Sequence, residues 1–473
     1  MKNILTVLCL GLAVPWAQGA ETNEVEQLKR QMQQMQENFD RQQREMRESF
    51  EKMLREQKGE LESLKQRLET IPTNPPVPPP PETATQERLK ELDAKVDSVV
   101  EAQTKERPNE FNPAIGLVGE TVFGYRSKPA DETGGDRPGG FDVNQRSIEL
   151  NIAAAVDPFA KGYAVINASA DPVTGEATMQ VEEAALQTTS LPANLELKAG
   201  RFFGEFGRLA YIHDHELPFV NRPLVLDKYI GGESKTDGLQ LNWLPPIGHY
   251  ANITFGLGDQ FGDTPNDSGG YRPLSELNFF GRVSTYFDLT PDWQLEAGAS
   301  GLWNPRTQDR GGALLQPNGV ATLTERERRL AGLDLRINYV PLRNNQFRSL
   351  TWGTELLYSD NRYLFDPDGT PSSGDEFIDS VGSFGLYTYV TYKWHRQWSA
   401  GFLFDWMESA QNHNDVTTAY SPYITWALSH WNQLRLQYTH TDHNAVSGLK
   451  PDDAIYLQWA WIIGAHAHGW QQR

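Results

Sequence analysis

His213-Asp214-His215-Glu216 is the sharpest cluster of reactive side chains in the chain. Two imidazoles flanked by carboxylates are donors that a divalent metal accepts. Against that, a His-x-His pair on extended backbone points both rings to one side and brings no third ligand, and no cysteine is at hand. The spacing therefore favours an ordinary polar loop: no metal is expected, with His213 and His215 as weak candidates. His440, Asp442 and His443, and His466 with His468, are weaker still. The same stretch, 204–236, also holds Glu205, Arg208, Arg222, Asp227, Lys228, Glu233 and Lys235. If it narrowed a water-filled lumen, these opposed charges would set a transverse field and an ion preference. On a solvated surface loop they would do neither. No Ser/His or Asp/His spacing rises above chance, so no catalytic residue and no cofactor is expected.

Which reading applies depends on the elements around that stretch. In residues 293–303, WQLEAGASGLW, the odd positions give Trp, Leu, Ala, Ala, Gly and Trp, while the even ones are small or polar except Leu302. A period of two is a strand, with alternate side chains on opposite faces. Ten steps of about 3.3 Å, tilted by roughly 40°, span about 25 Å, the height of the apolar band on an outer-membrane barrel. The period recurs at 115–125 and 148–156. Further strands are predicted near 161–170, 178–189, 194–203, 237–244, 250–258, 277–289, 292–303, 330–340, 350–360, 382–394, 397–407, 418–429, 432–442 and 453–466. Short Pro- and Asp-marked turns alternate with long polar connections such as 127–144, 204–236, 304–329 and 361–381.

The expected fold is therefore all-β, a transmembrane antiparallel barrel of about 16 strands over 109–473. Charges aimed at lipid cost about 2–4 kcal/mol near the midplane, so strand charges should face the lumen. By parity these are Glu149, Glu196, Lys198, Arg282, Glu296, Asp334, Arg336, Glu355, Lys393, Asp405 and Arg435. Their mixed signs fit a wet pore and favour neither anions nor cations. Composition agrees: hydrophobic residues are only 38%, yet there are 13 Trp and 17 Tyr, suited to interfacial girdles. A net charge of −19 argues against nucleic acid.

The residues before 109 differ in kind. Residues 1–19 read as a secretory signal: Lys2, an apolar centre, then Ala17-Gln18-Gly19. Cys9 lies in that centre, so the exported chain would hold no cysteine. From 20 to 71 apolar residues recur at threes and fours, among them Leu28, Met32, Met35, Phe39, Leu61, Leu64 and Leu68. That seam predicts a periplasmic α-helical coiled coil that makes a homo-oligomer. A Pro-rich spacer (72–84) and a short helix (85–108) follow.

Three segments carry a resemblance: FNPAI at 111–115, LKAGRFFGEFG at 197–207 and DGLQLNW at 237–243. They resemble a family of porin-like Gram-negative outer-membrane barrels that begin with a periplasmic coiled coil. The whole plan is similar to that of the DcaP-like and phosphate-selective porins. The resemblance implies a passive channel, trimeric, with 204–236 as an inward-folding constriction loop. The chain departs from such barrels at its end, where Trp470 is followed by Gln471-Gln472-Arg473. The expected function is thus an outer-membrane porin for small solutes or ions. The alternative is an envelope tether whose arm holds peptidoglycan or a periplasmic partner. A plugged active importer needs about 22 strands and a globular plug, for which the chain has no material.

Overall fold

The computed structural model describes residues 113–134, 137–263, 273–307, 310–316, 319–343, 347–367, 374–429 and 431–464. The signal, coiled coil, spacer and short helix expected before residue 109 lie outside the described residues, as does Trp470. The chain divides into units Met1–Glu106 and Arg107–Arg473, and the barrel belongs to the second.

Seventeen strands occur among the described residues: β1 (Ala114–Arg126), β2 (Gly140–Asp157), β3 (Ala160–Ala170), β4 (Ala177–Thr188), β5 (Leu195–Phe203), β6 (Lys235–Trp243), β7 (Ala251–Gly258), β8 (Asn278–Thr290), β9 (Trp293–Asn304), β10 (Arg310–Gln316), β11 (Gly319–Tyr339), β12 (Ser349–Asp366), β13 (Phe377–Lys393), β14 (Trp398–Ser409), β15 (Asn412–Ser429), β16 (Asn432–His443) and β17 (Asp452–Gly464). Sixteen form the wall, each antiparallel to the next. β9 pairs directly with β11, and β1 pairs with both β2 and β17. The β1–β17 ladder runs from Gly116↔Gly464 to Arg126↔Ala454 and closes the sheet. Closure leaves no edge among the sixteen wall strands.

The seventeenth strand corrects an expectation. Residues 304–329 were expected to be a long polar loop. Instead β10 pairs with the outer half of β11, from Arg310↔Glu325 to Gln316↔Gly319. The β-prone runs Ala313-Leu314-Leu315 and Val320-Ala321-Thr322-Leu323 continue the ladder beyond the wall. Two other connections on that side are also tighter than a strict short–long alternation requires, 171–176 and Ala410–Gln411.

On β9 the two faces separate as the alternation demands. Trp293 and Trp303 are exposed on the outside, whereas Leu302, the misfit in the polar register, is buried inside. Around the exterior, exposed rings form two rows. Trp243, Trp293, Trp352, Trp426 and Trp459 lie toward the short turns, and Trp303, Tyr358, Phe384, Tyr420, Tyr438 and Tyr125 toward the long connections. Apolar residues such as Leu241, Phe255, Val283, Leu333, Leu356, Phe402, Leu436 and Leu457 fill the outer face between them.

Candidate functional site

The connection between β5 and β6 folds into the barrel and crosses it. At its root Gly204 N donates to Ser234 O (2.8 Å) and Ser234 Oγ to Gly204 O (2.6 Å). The Glu205 carboxylate accepts from Gln240, Asn242, Asn252 and Thr254 on β6 and β7, at 3.2, 3.0, 3.1 and 2.8 Å. Gly207 N donates to Ser300 Oγ on β9 (2.9 Å), and Arg208 N to Glu355 Oε2 on β12 (3.1 Å). Gly207 has φ +58°, and a Cβ there would overlap the Glu355 carboxylate, so only glycine fits this turn. Across the lumen, Val220 N reaches Gln437 on β16 (2.7 Å) and Arg435 donates to Phe219 O (3.1 Å). A short helix, Leu224–Tyr229, then lies along β14. Asp405 of β14 accepts from Leu224 N (3.0 Å), capping the helix from the wall, and Tyr229 Oη donates to Glu408 O (2.9 Å).

Apolar packing fixes this path more than charge does. Leu209, Leu217, Phe219, Val225, Leu226, Tyr229 and Ile230 of the loop are buried. They meet Leu302, Leu330, Leu357, Tyr387, Tyr389, Leu403, Met407 and Tyr423 on the inner wall. Each such side chain contributes about 1.5–3 kcal/mol on burial. The surface-loop reading of 204–236 is thereby overturned. One side of the lumen is dry, because the wall there carries apolar residues in the inward register.

The other side is charged. Glu296 of β9 holds Arg208 of the loop (2.5 Å) and Arg336 of β11. Arg282 of β8 forms a two-pronged pair with Asp334 of β11, at 2.5 and 2.9 Å. Glu355 is buried, bonded to Tyr387 Oη (2.7 Å) as well as to the loop. Between loop and wall lies a cavity of about 760 Å³ whose lining includes Lys161, Glu196, Lys198, Glu205, Arg208, Glu216, Arg282, Glu296 and Arg336. Acids and bases are thus interspersed in its lining, together with Asn242, Asn252 and Ser284.

The remaining expected site residues fall in several places. Asp214 pairs with Arg222 (2.7 Å) within the loop, and Arg222 also donates to Leu209 O and Ile212 O. Burial pushes the Asp214 carboxyl up, but Arg222 and Arg146 bring it net below its ordinary value. Lys198 is buried, with its ammonium 5.2 Å from the Phe202 ring centre. Arg435 is also buried, tied to Thr425 (3.0 Å) and Gln458 (2.7 Å), and acts as a strut to the loop. Lys393 lies at the short-turn end of β13, opposite Ser349 and Ser399, outside the cavity lining.

His213 and His215 are buried against the wall, and the wall brings what the loop alone could not. Glu149 of β2 lies 3.1 Å from His215 Nδ1 and 3.5 Å from His213 Nδ1. Glu182 and Glu183 of β4 lie 3.6 and 3.8 Å from His213. Adjacent strand residues should face opposite ways, yet both glutamates are buried inside. The β3–β4 ladder slips between Val165↔Glu183 and Ile166↔Val181, so Glu182 is the extra residue of a bulge. Parity therefore missed this pair; two successive carboxylates within a strand were the available signal. Burial disfavours charge on both imidazoles, but Glu149, with Glu183 and Glu182 also acting on His213, raises both above their ordinary values.

No family model matches the chain. An uncharacterised protein of Aquifex aeolicus (strain VF5) is 27% identical over 394 residues, covering 75% of this chain and 79% of the relative. Among solved structures, the outer-membrane channel DcaP of Acinetobacter baumannii superposes with a TM-score of 0.50 at 10% identity, over 74% of this chain and 97% of that one. OprB of Pseudomonas putida gives 0.49 at 10% identity, over 74% and 94%. The likeness to DcaP is one of fold, a closed antiparallel β-barrel.

Proposed function

We propose that the protein is an outer-membrane channel for passive diffusion of small polar or charged solutes, with 204–236 as its constriction. The observation that carries this reading is the in-folded loop, held to the wall and leaving a cavity edged by Arg208, Arg282 and Arg336 against Glu205, Glu216 and Glu296. A lumen of this kind presents fixed charges to a passing ion without binding it tightly. The two aromatic rows, with apolar side chains between them, give the exterior the banding of a lipid-facing belt. Planar-bilayer recording of the purified protein tests the reading. Discrete steps of ohmic current are expected; a folded, inserted barrel that passes none overturns it.

Self-association has support on the barrel as well as in the N-terminal heptads. The outer face from β3 to β5 holds the small residues Gly162, Ala164, Ala184 and Ala199 beside Leu186 and Leu197, and at its edge lies the ion pair of Arg201 with Asp237 of β6 (2.5 Å). Charges facing lipid are costly, and small residues let two walls approach closely. Both suit contact with a second copy.

A further inference from the structure

We propose that His213, His215, Glu149 and Glu182 form a divalent transition-metal site of the zinc class that clamps the in-folded loop to β2 and β4. The donor atoms of Glu149, His213 and His215 lie within 4.8 Å of one another, and those of Glu182, His213 and Glu233 form a second trio that meets the first at His213, so Glu182 joins the set from the His213 side. A tetrahedral ion with ligands about 2.0–2.2 Å away sets its donors about 3.4 Å apart. The separations of 3.1, 3.5 and 3.6 Å from the two imidazoles to Glu149 and Glu182 bracket that value. Those from His213 are longer than an ordinary charge-assisted hydrogen bond, about 2.7–2.9 Å.

Glu182 supplies the independent sign of a ligand. Its side chain is 4% exposed, and Oε2 makes no hydrogen bond among the described residues. Its other oxygen, Oε1, faces Asn167 Nδ2 (3.4 Å) and Lys235 Nζ (4.0 Å), so Oε2 is the atom turned toward His213. The bulge in β4 is what aims it there. Two imidazoles together with carboxylates suit zinc, cobalt or nickel better than magnesium or calcium, which prefer oxygen alone. The groups facing the cluster are Glu149, Glu182 and Glu183 from the wall and His213, His215, Glu233 and Lys235 from the loop and its return strand. Carboxylates outnumber cations, and a dication offsets that excess.

The test uses tag-free, full-length protein, folded in detergent and stripped with a chelator. Zinc is titrated against a chromophoric competitor, and cobalt is followed by its visible absorption. One ion per barrel, bound on the order of micromolar or tighter, is expected. The paired substitution His213→Ala/His215→Ala should weaken it by at least about 100-fold, since losing even an outer partner of a metal ligand costs about 10–100-fold. Glu182→Gln, which keeps size and removes charge, should weaken it about tenfold and reduce the cobalt band. Heat-modifiable gel mobility confirms that each variant is a folded barrel. If the His pair variant misfolds, Glu182→Gln carries the test. Absence of tight zinc binding by the folded parent, or unchanged affinity in the folded variants, overturns the proposal.

Discussion

Glu296 sits at the proposed constriction, between Arg208 on the loop and Arg336 on the wall. Removing its charge while keeping its shape leaves two guanidiniums facing the cavity with less opposing charge. Glu296→Gln should therefore shift the reversal potential in a salt gradient toward anion preference, and more so at low ionic strength because screening weakens the field. An unchanged reversal potential would remove Glu296 from the permeation path. Gly207 makes a second point at this scale. Its left-handed backbone and its contact with Glu355 leave no room for a Cβ. Gly207→Ala should cost about 1–2 kcal/mol in backbone strain alone, loosen the Arg208–Glu355 contact and raise single-channel conductance, read in the same bilayer.

Among the elements, the loop and the wall opposite it were built for one another. Phe219 lies edge-on to Tyr389 and Tyr423, with ring centres 5.6 and 6.2 Å away. Truncating such a buried ring costs about 3–5 kcal/mol, and here the loss falls on loop docking because the ladders do not depend on it. Phe219→Ala should open the loop to trypsin at Arg222 and Lys228 while the barrel keeps its heat-modifiable mobility. Resistance equal to that of the parent would show that the ion pairs, not the apolar contacts, hold the loop. The bulge in β4 and the Asp405 cap belong to the same scale: each is a strand feature whose purpose is visible only against the loop.

For the molecule as a whole, closure and outer banding make the barrel self-sufficient in its hydrogen bonds. Deleting residues 21–107 should then leave an inserted, conducting barrel, since the closed wall of the described residues runs from Ala114 to Gly464. The same deletion distinguishes the two roles open to the arm: a channel keeps its current, whereas a tether loses association with the cell wall. Chemical crosslinking of the truncated chain shows whether the small-residue face of β3–β5 holds copies together without the heptads.

Much of this was legible in the residues themselves. Alternation is a local property, so Trp293 to Trp303 announced a strand with one oily side, and the repeat of that pattern with turns between gave a barrel of sixteen. Even the misfit Leu302 was visible, though its meaning was not. What only the tertiary structure decided was where the loop goes and what it meets. His213 and His215 lacked further ligands while only their own loop was considered; Glu149, inward by parity, and Glu182, turned inward by a ladder slip that no parity rule anticipates, come from 64 and 31 residues before His213. Period-two patterning fixes which face a side chain takes along one strand. It carries no information about which distant side chains closure of the sheet brings within bonding distance, and that closure is where the candidate chemistry of this chain resides.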